Sequence, residues 1–198
     1  MLFMSLIFTG PTMAQIEEPS YKIVSKEGDF ELRDYTPSIV AEITIEGERD
    51  SAVNAGFRIL AGYIFGGNTS RSKIAMTAPV TQSKGETIEM TAPVTQTAKG
   101  SSWIIRFMMP HSYTMRTLPK PDDDRILLKT IHARRIAVLK FSGLWTEGNL
   151  GAHRDELASL IARKSFKPKG QFTYAFYDPP WKPFFWRRNE VMQEIEAH

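Results

Sequence analysis

Short runs of alternating apolar and polar residues dominate the chain, and two windows switch to a helical period. Tyr21–Ser25 and Phe30–Tyr35 alternate on either side of Gly28-Asp29, which predicts a hairpin. Ser38–Ile45 predicts a third strand. A helix follows from Asp50 or Ser51 to about Phe65, where Gly66-Gly67-Asn68 stops it. Trp103–Met109 reads as a strand ended by Pro110. Ile126–His132 and Ile136–Phe141 read as a strand pair turning at Ala133-Arg134. A second helix spans about Thr146–Lys164, and strands follow at Phe172–Tyr177 and Arg188–Glu194. Each helix lies between clusters of strands, so the order predicts a duplicated α+β unit.

The repeat at the middle of the chain is more distinctive. Met76-Thr-Ala-Pro-Val-Thr-Gln82 recurs as Met90-Thr-Ala-Pro-Val-Thr-Gln96. As a hairpin with the loop Ser83-Lys84-Gly85, Gly85 in a left-handed conformation, the copies pair Met76 with Ala92 and Ala78 with Met90. Both methionines then point into the core, so the repeat reads as scaffold. Pro79 and Pro93 must sit at an edge, a bulge or a gap in the ladder.

The first helix carries two apolar stripes. Val53, Phe57, Leu60 and Ile64 are expected to face the sheet. Ala52, Ala55, Ile59 and Tyr63 form a second stripe, which suits either a wide core face or a covering apolar ligand.

Composition narrows the classes. The chain has 198 residues, 42% of them hydrophobic, enough for one globular domain with a core. A net charge of +3 without a dense basic run gives no argument for nucleic acid. Without cysteine there are no disulfides, thiolate metal sites or cysteine nucleophiles. Leu2–Phe8 is apolar, Thr9-Gly10-Pro11 breaks it, and Thr12-Met13-Ala14 fits a signal-peptidase site. Residues 1–14 are therefore read as a signal peptide and 15–198 as a single domain, periplasmic or secreted. No Lys or Arg precedes the apolar run, which keeps a cytoplasmic location as the alternative. The run is too short for a transmembrane span.

Candidate chemistry concentrates in Tyr177–Glu190. Trp181, Phe184, Phe185 and Trp186 offer stacking surface, prolines stiffen the loop, and Lys182, Arg187 and Arg188 add cations. Rigid aromatics beside positive charge suit a flat, apolar, anionic molecule. A membrane surface or a protein partner would use Trp181–Trp186 equally well. Asp122-Asp123-Asp124 reads as a solvated turn in a polar loop, Leu118–Arg125. His153, on the stripe Leu150, His153, Leu157, Leu160, reads as a packed boundary residue. Asp155 and Glu156 face apart on a helix, and no nucleophile elbow or carboxylate pair points to catalysis.

Ile74-Ala-Met-Thr-Ala-Pro-Val80, Phe107-Met-Met-Pro110, Phe141-Ser-Gly143 and Tyr177-Asp-Pro-Pro-Trp with Arg-Arg-Asn-Glu190 resemble the SOUL haem-binding protein family. The resemblance covers roughly Pro19 to Glu194. It implies a curved, barrel-like antiparallel sheet with two helices packed outside. It also implies haem or another tetrapyrrole as a reversibly bound ligand, in a shallow cleft between the first helix and the loop before the last strand. Lys182 carries over as the loop lysine that meets a propionate. At the family's basic helix positions this chain has Ala55 and Tyr63, with Arg58 one turn along as a substitute. The site implied is Ala55, Arg58, Ile59, Tyr63, Tyr177, Trp181, Lys182 and Phe184, with no obligatory axial histidine. The function implied is non-catalytic carriage or buffering. A tetrapyrrole-processing, dechelatase-like enzyme and an interaction module are the alternatives.

Overall fold

The structure is a computed structural model and describes residues 16–70 and 85–196. In chain order it contains β1 (Tyr21–Glu27), β2 (Phe30–Tyr35), β3 (Ser38–Glu46), α1 (Arg49–Ile64), β4 (Asn68–Thr69), β5 (Val94–Lys99) and β6 (Ser102–Met108). Then come β7 (Lys120–Pro121), β8 (Leu127–Ile131), β9 (Arg134–Phe141), α2 (Glu147–Arg163), β10 (Pro168–Phe176) and β11 (Asn189–Ile195). Gly28 turns the first hairpin with φ of 58°, a conformation that costs glycine little. Thr146 caps α2 by accepting from the Asn149 amide at 3.4 Å. At the start of α1, Glu48 makes no such bond.

Nine strands form one antiparallel sheet in the order β1-β2-β9-β11-β10-β5-β6-β3-β8, curled into a half-barrel with both helices packed on it. The expected α+β class is therefore observed. The duplicated unit is visible in the topology. One half is β3-α1-β5-β6 and the other β9-α2-β10-β11, joined where β10 pairs with β5. The strand before each unit crosses over: β2 pairs with β9, and β8 pairs with β3. This corrects the expected pairing of Ile126–His132 with Ile136–Phe141, because β8 and β9 are consecutive but lie in different halves.

The helix side of the sheet holds two apolar clusters. Beneath α2 lie Leu32, Leu139, Leu157, Ile161, Phe176 and Val191. Beneath α1 lie Ala41, Ile43, Leu60, Ile64, Ile105 and Phe107. Leu60 and Leu157 are both 0% exposed, and burying such a side chain contributes roughly 1.5–3 kcal/mol. The stripe of α1 that faces the sheet differs from expectation. It runs through Ala52, Gly56, Leu60, Tyr63 and Ile64, while Phe57 is 39% exposed. The reason is close approach: a Cβ on Gly56 would stand 2.8 Å from Ile105 Cδ1, so glycine lets α1 settle onto β6 there.

The repeat also departs from expectation. Its first copy, with Met76 and Ala78, lies outside the described residues. At the second copy, residues 88–93, its lead-in and first four positions, make no ladder. Ile88 donates to Ile64, Ala92 donates to Glu17, and the Thr91 hydroxyl bonds the Met108 carbonyl at 2.6 Å. With partners so scattered the alternation lapses: Ile88 and Ala92 are buried, but Met90 is 50% exposed and points out of the core. Gly85 is not left-handed. Its Cα abuts the backbone of Gly66 and Asn68, where a side chain would collide. The Leu118–Arg125 loop carries buried anchors at Leu118, Pro119 and Pro121, and the short β4–β7 pair. Asp123 there pairs with exposed Arg125 at 2.6 Å, a solvated turn as expected.

Candidate functional site

On the helix side, three residues at one end of the sheet stand in a row. Phe107 of β6 is opposite Val94 of β5, and Val94 is opposite Phe176 of β10. Directly opposed residues share a face, so this row is an apolar floor about 10 Å across at the usual strand spacing. Phe57 of α1 packs on Phe107 at 5.3 Å between ring centroids. Trp145, just before α2, packs on Phe176 at 4.9 Å and donates its indole N–H to Asn189 at 2.8 Å. Phe107 and Phe176 are each 6% exposed, so the saddle between the two helices shows solvent mainly half-buried Val94 and the rim rings Phe57 and Trp145.

The loop from Tyr177 to Arg188 stands beside this saddle. Gly143 donates to the Phe184 carbonyl at 3.0 Å and ties the loop to the end of β9. The Arg187 guanidinium lies over the Trp145 ring, 4.9 Å from its centroid, and donates to the Lys182 carbonyl at 2.8 Å. Lys182 pairs with Asp178 at 2.7 Å, and Asp178 also accepts from the Arg188 amide at 2.6 Å. Phe184–Trp186 form a 3-10 turn whose rings meet edge to face at 5.3 and 5.1 Å. Trp181 (83% exposed), Phe184, Phe185 and Trp186 are all open to solvent. So large an exposed apolar patch, held by so many hydrogen bonds, is a prepared surface rather than a floppy tip.

The opposite, concave face is organised by charge. Arg33 grips both oxygens of Glu190 at 2.9 Å each and donates to Glu31 at 2.8 Å, with all three residues at 0% exposure. Tyr177 donates to Glu190 at 2.8 Å, Arg188 at 3.0 Å, and Lys140 donates to Glu31 at 2.7 Å. Burial pushes the Glu31 carboxyl up, but the hydrogen bonds from Lys140 and Arg33 outweigh it and hold it at about 2. Burial likewise opposes ionisation of Glu190, yet Arg33, Arg188 and Tyr177 hold it below the usual carboxylate range. Burial and the neighbouring Glu190 push the Tyr177 phenol well up. Both oxygens of each carboxylate are occupied by donors, which leaves no lone base in this network.

The residues expected at the site divide. Trp181, Lys182 and Phe184 come together in the loop, and Arg58 is exposed on α1, where it donates to the Asn54 carbonyl at 3.3 Å. Tyr63 does not reach a cleft: it is 1% exposed, and its hydroxyl donates to the Pro119 carbonyl at 2.9 Å. Tyr177 turns inward to the charge network rather than onto the loop's surface. Ala55 and Ile59 sit two residues either side of Phe57, about 200° round the helix, so they look away from the saddle. The reading of α1 missed Phe57 as a saddle wall and missed Trp145, Val94 and Phe176 altogether. The sequence signal that could have found Trp145 is a lone Trp immediately before a capping Thr.

His153 stacks on Phe141 at 4.3 Å and lies 3.3 Å from Glu156, the packed boundary position expected of it. His111 pairs with Glu17. Among the described residues no group of three or more His, Asp or Glu could hold a metal ion, and no helix is long and apolar enough to cross a membrane.

The fold is shared with proteins of very different sequence. The C-terminal domain of EcmrR superposes with a TM-score of 0.62 at 11% identity, covering 90% of this chain and 99% of that one. A hydrolase from Listeria innocua superposes with a TM-score of 0.55 at 12% identity, covering 87% and 94%. At these identities the likeness defines a fold class only: a duplicated α+β half-barrel. The sequence profile of the SOUL haem-binding proteins matches residues 16–194, and the chain belongs to that family. Haem-binding protein 2 of Mus musculus is 41% identical over 71 residues, and that of Homo sapiens 38% over the same length. Those stretches cover 33% of this chain and 35% of each relative.

Proposed function

We propose that the protein binds haem or a related tetrapyrrole on the saddle beside the Tyr177–Arg188 loop, and that it carries or buffers the ligand without transforming it. The observation that supports this most is the row Phe107–Val94–Phe176 between Phe57 and Trp145, flanked by exposed aromatics and cations. A flat macrocycle stacks on such a surface. In this reading Lys182 and Arg187 of the loop and Arg58 of α1 are the cations that meet the carboxylates at the rim of the macrocycle. The family's name and its haem-binding relatives support the same ligand. The apolar run Leu2–Phe8 followed by Thr12-Met13-Ala14 supports export, which fractionation of the expressing cell tests.

Haemin titration followed at the Soret band tests the ligand. Saturable one-to-one binding at micromolar protein is expected. Phe57→Asp should weaken it about tenfold or more, since a charge would replace an apolar wall. Lys182→Glu should weaken haemin more than a neutral porphyrin ester. Absence of saturation would reject the reading. Multiple-turnover loss of iron or ring opening during incubation would replace carriage with a processing enzyme.

A further inference from the structure

We propose that the Tyr177–Arg188 loop docks the protein on an anionic lipid bilayer, with Trp181, Phe184, Phe185 and Trp186 entering the headgroup boundary and Arg187 meeting a lipid phosphate. These four exposed rings fall within six residues, and Phe184, Phe185 and Trp186 touch in series. Leu144, 50% exposed, extends the patch, because its neighbour Gly143 donates to the Phe184 carbonyl. Apolar surface gathered in this way marks a contact surface.

The backbone favours lipid over a protein partner. Pro179, Pro180 and Pro183 have no N–H to leave unpaired. Five carbonyls of the loop accept hydrogen bonds from within the protein. The Lys182 amide donates to Pro179, the Trp186 amide to Pro183, and the Gly143 and Arg187 amides to Phe184. The Arg187 side chain donates to the carbonyls of Pro180 and Lys182. Much of the polar backbone is thus satisfied before the loop leaves water, which lowers the cost of entering an apolar phase. A protein partner would find few free groups to bond, whereas protein interfaces carry about one hydrogen bond per 100–200 Å². The indole N–H groups of Trp181 and Trp186 have no partner among the described residues. An apolar ring with one free polar edge suits the membrane–water boundary.

Charge selects the lipid. Lys182 is paired with Asp178, and Arg188 with Glu18 and Glu190. Arg187 pairs with no carboxylate among the described residues; its contacts are two carbonyls and the Trp145 ring. An uncompensated guanidinium beside the rings is complementary to a phosphate at the bilayer surface. This docking goes beyond the tetrapyrrole reading and does not depend on it.

The experiment is co-flotation of the full chain, without haemin, with vesicles of equimolar phosphatidylcholine and phosphatidylglycerol, and with vesicles of phosphatidylcholine alone. Saturable binding is expected, about fivefold or more tighter to the anionic vesicles. Phe185→Ser combined with Trp186→Ser, both at exposed positions, should weaken it about tenfold or more. Phe57→Asp, on the saddle, should leave it unchanged. Brominated acyl chains should quench the tryptophan fluorescence. Trp181→Phe combined with Trp186→Phe should lose most of that quenching while flotation persists, since phenylalanine keeps the apolar surface. No flotation, equal binding to neutral vesicles, an undiminished double serine variant, or quenching that survives the loss of both tryptophans would each overturn the proposal. A lipid-free dimer that the serine changes abolish would make a second copy the occupant and overturn it too. A protein that floats with vesicles but does not bind haemin keeps this inference and loses the tetrapyrrole reading.

Discussion

The two faces of the sheet solve the same problem with opposite chemistry. Under the helices, Leu60, Leu157, Ile161 and Ile105 exclude water by apolar packing alone. Inside the curl, Glu31, Arg33 and Glu190 are as thoroughly buried, and they exclude water while charged, by occupying one another. Packing of the first kind tolerates small errors of position, because dispersion contacts are many and individually weak. The second kind does not, because each charge removed from water depends on a few directed bonds. The helix face is thus a cushion, and the concave face a lock that fixes how β2 and β11 sit on either side of β9.

The largest effect should come from breaking the lock. Glu190→Leu leaves Arg33 buried without its bidentate partner, and should cost about 3–5 kcal/mol in urea unfolding. A loss below about 1 kcal/mol would show that solvent reaches the network. The matching change on the cushion, Leu157→Ala, should cost about 2–5 kcal/mol and leave the residual fold intact. Acid separates the faces next. Glu31 lies at about 2 in the folded protein against its ordinary 4.5, so its contribution is complete above about 4.5 and fades as pH falls towards about 2. That contribution is on the order of 3 kcal/mol. The melting temperature of the wild type should therefore drop across that window, and Glu31→Gln should flatten the drop while lowering stability near neutral pH. The smallest effects lie at the helix starts. Thr146→Ala should cost about 1 kcal/mol by uncapping α2, whereas Glu48→Asp, which supplies the short acceptor α1 lacks, should gain a few tenths. Equal responses at the two helices would mean that tertiary contacts, not caps, set their ends.

How far the chain declares this architecture depends on what each signal measures. The β1–β2 hairpin and both helices follow from local patterns, so their positions agree within a residue or two. β5 was legible only at its start: the strand expected over the second repeat reaches Val94–Gln96, but Val94-Thr-Gln-Thr-Ala-Lys99 turns Thr95 and Thr97 to the polar concave face and Gln96 to Arg49, leaving little apolar alternation to mark its true extent. β10 begins at Pro168, ahead of the expected Phe172, because its first residues are exposed and polar. The partners of β2 and β8 could not be read at all, since adjacency in sequence favours the hairpin that the fold declines. Of the site, the loop aromatics were legible as a cluster of unusual composition. The saddle floor was not, because Phe107, Val94 and Phe176 come from three strands that meet only in the sheet. Nor did Phe30-Glu-Leu-Arg-Asp-Tyr35 betray the lock: a strand facing water and a strand facing a charged interior alternate in the same way.

The crossing of β2 and β8 has a consequence for the newborn chain. Arg33 and Glu190 are 157 positions apart, so the arginine leaves the ribosome long before its carboxylate is made. Until β11 arrives, β9 lacks one of its two neighbours and β2 borders an unfinished interior. Maturation is thereby gated by the final strand, and a prematurely terminated copy lacks the keystone that would let it hide its charges. Quality control by proteases has a simple cue in such a copy: an arginine and a glutamate still in water where a finished molecule shows neither.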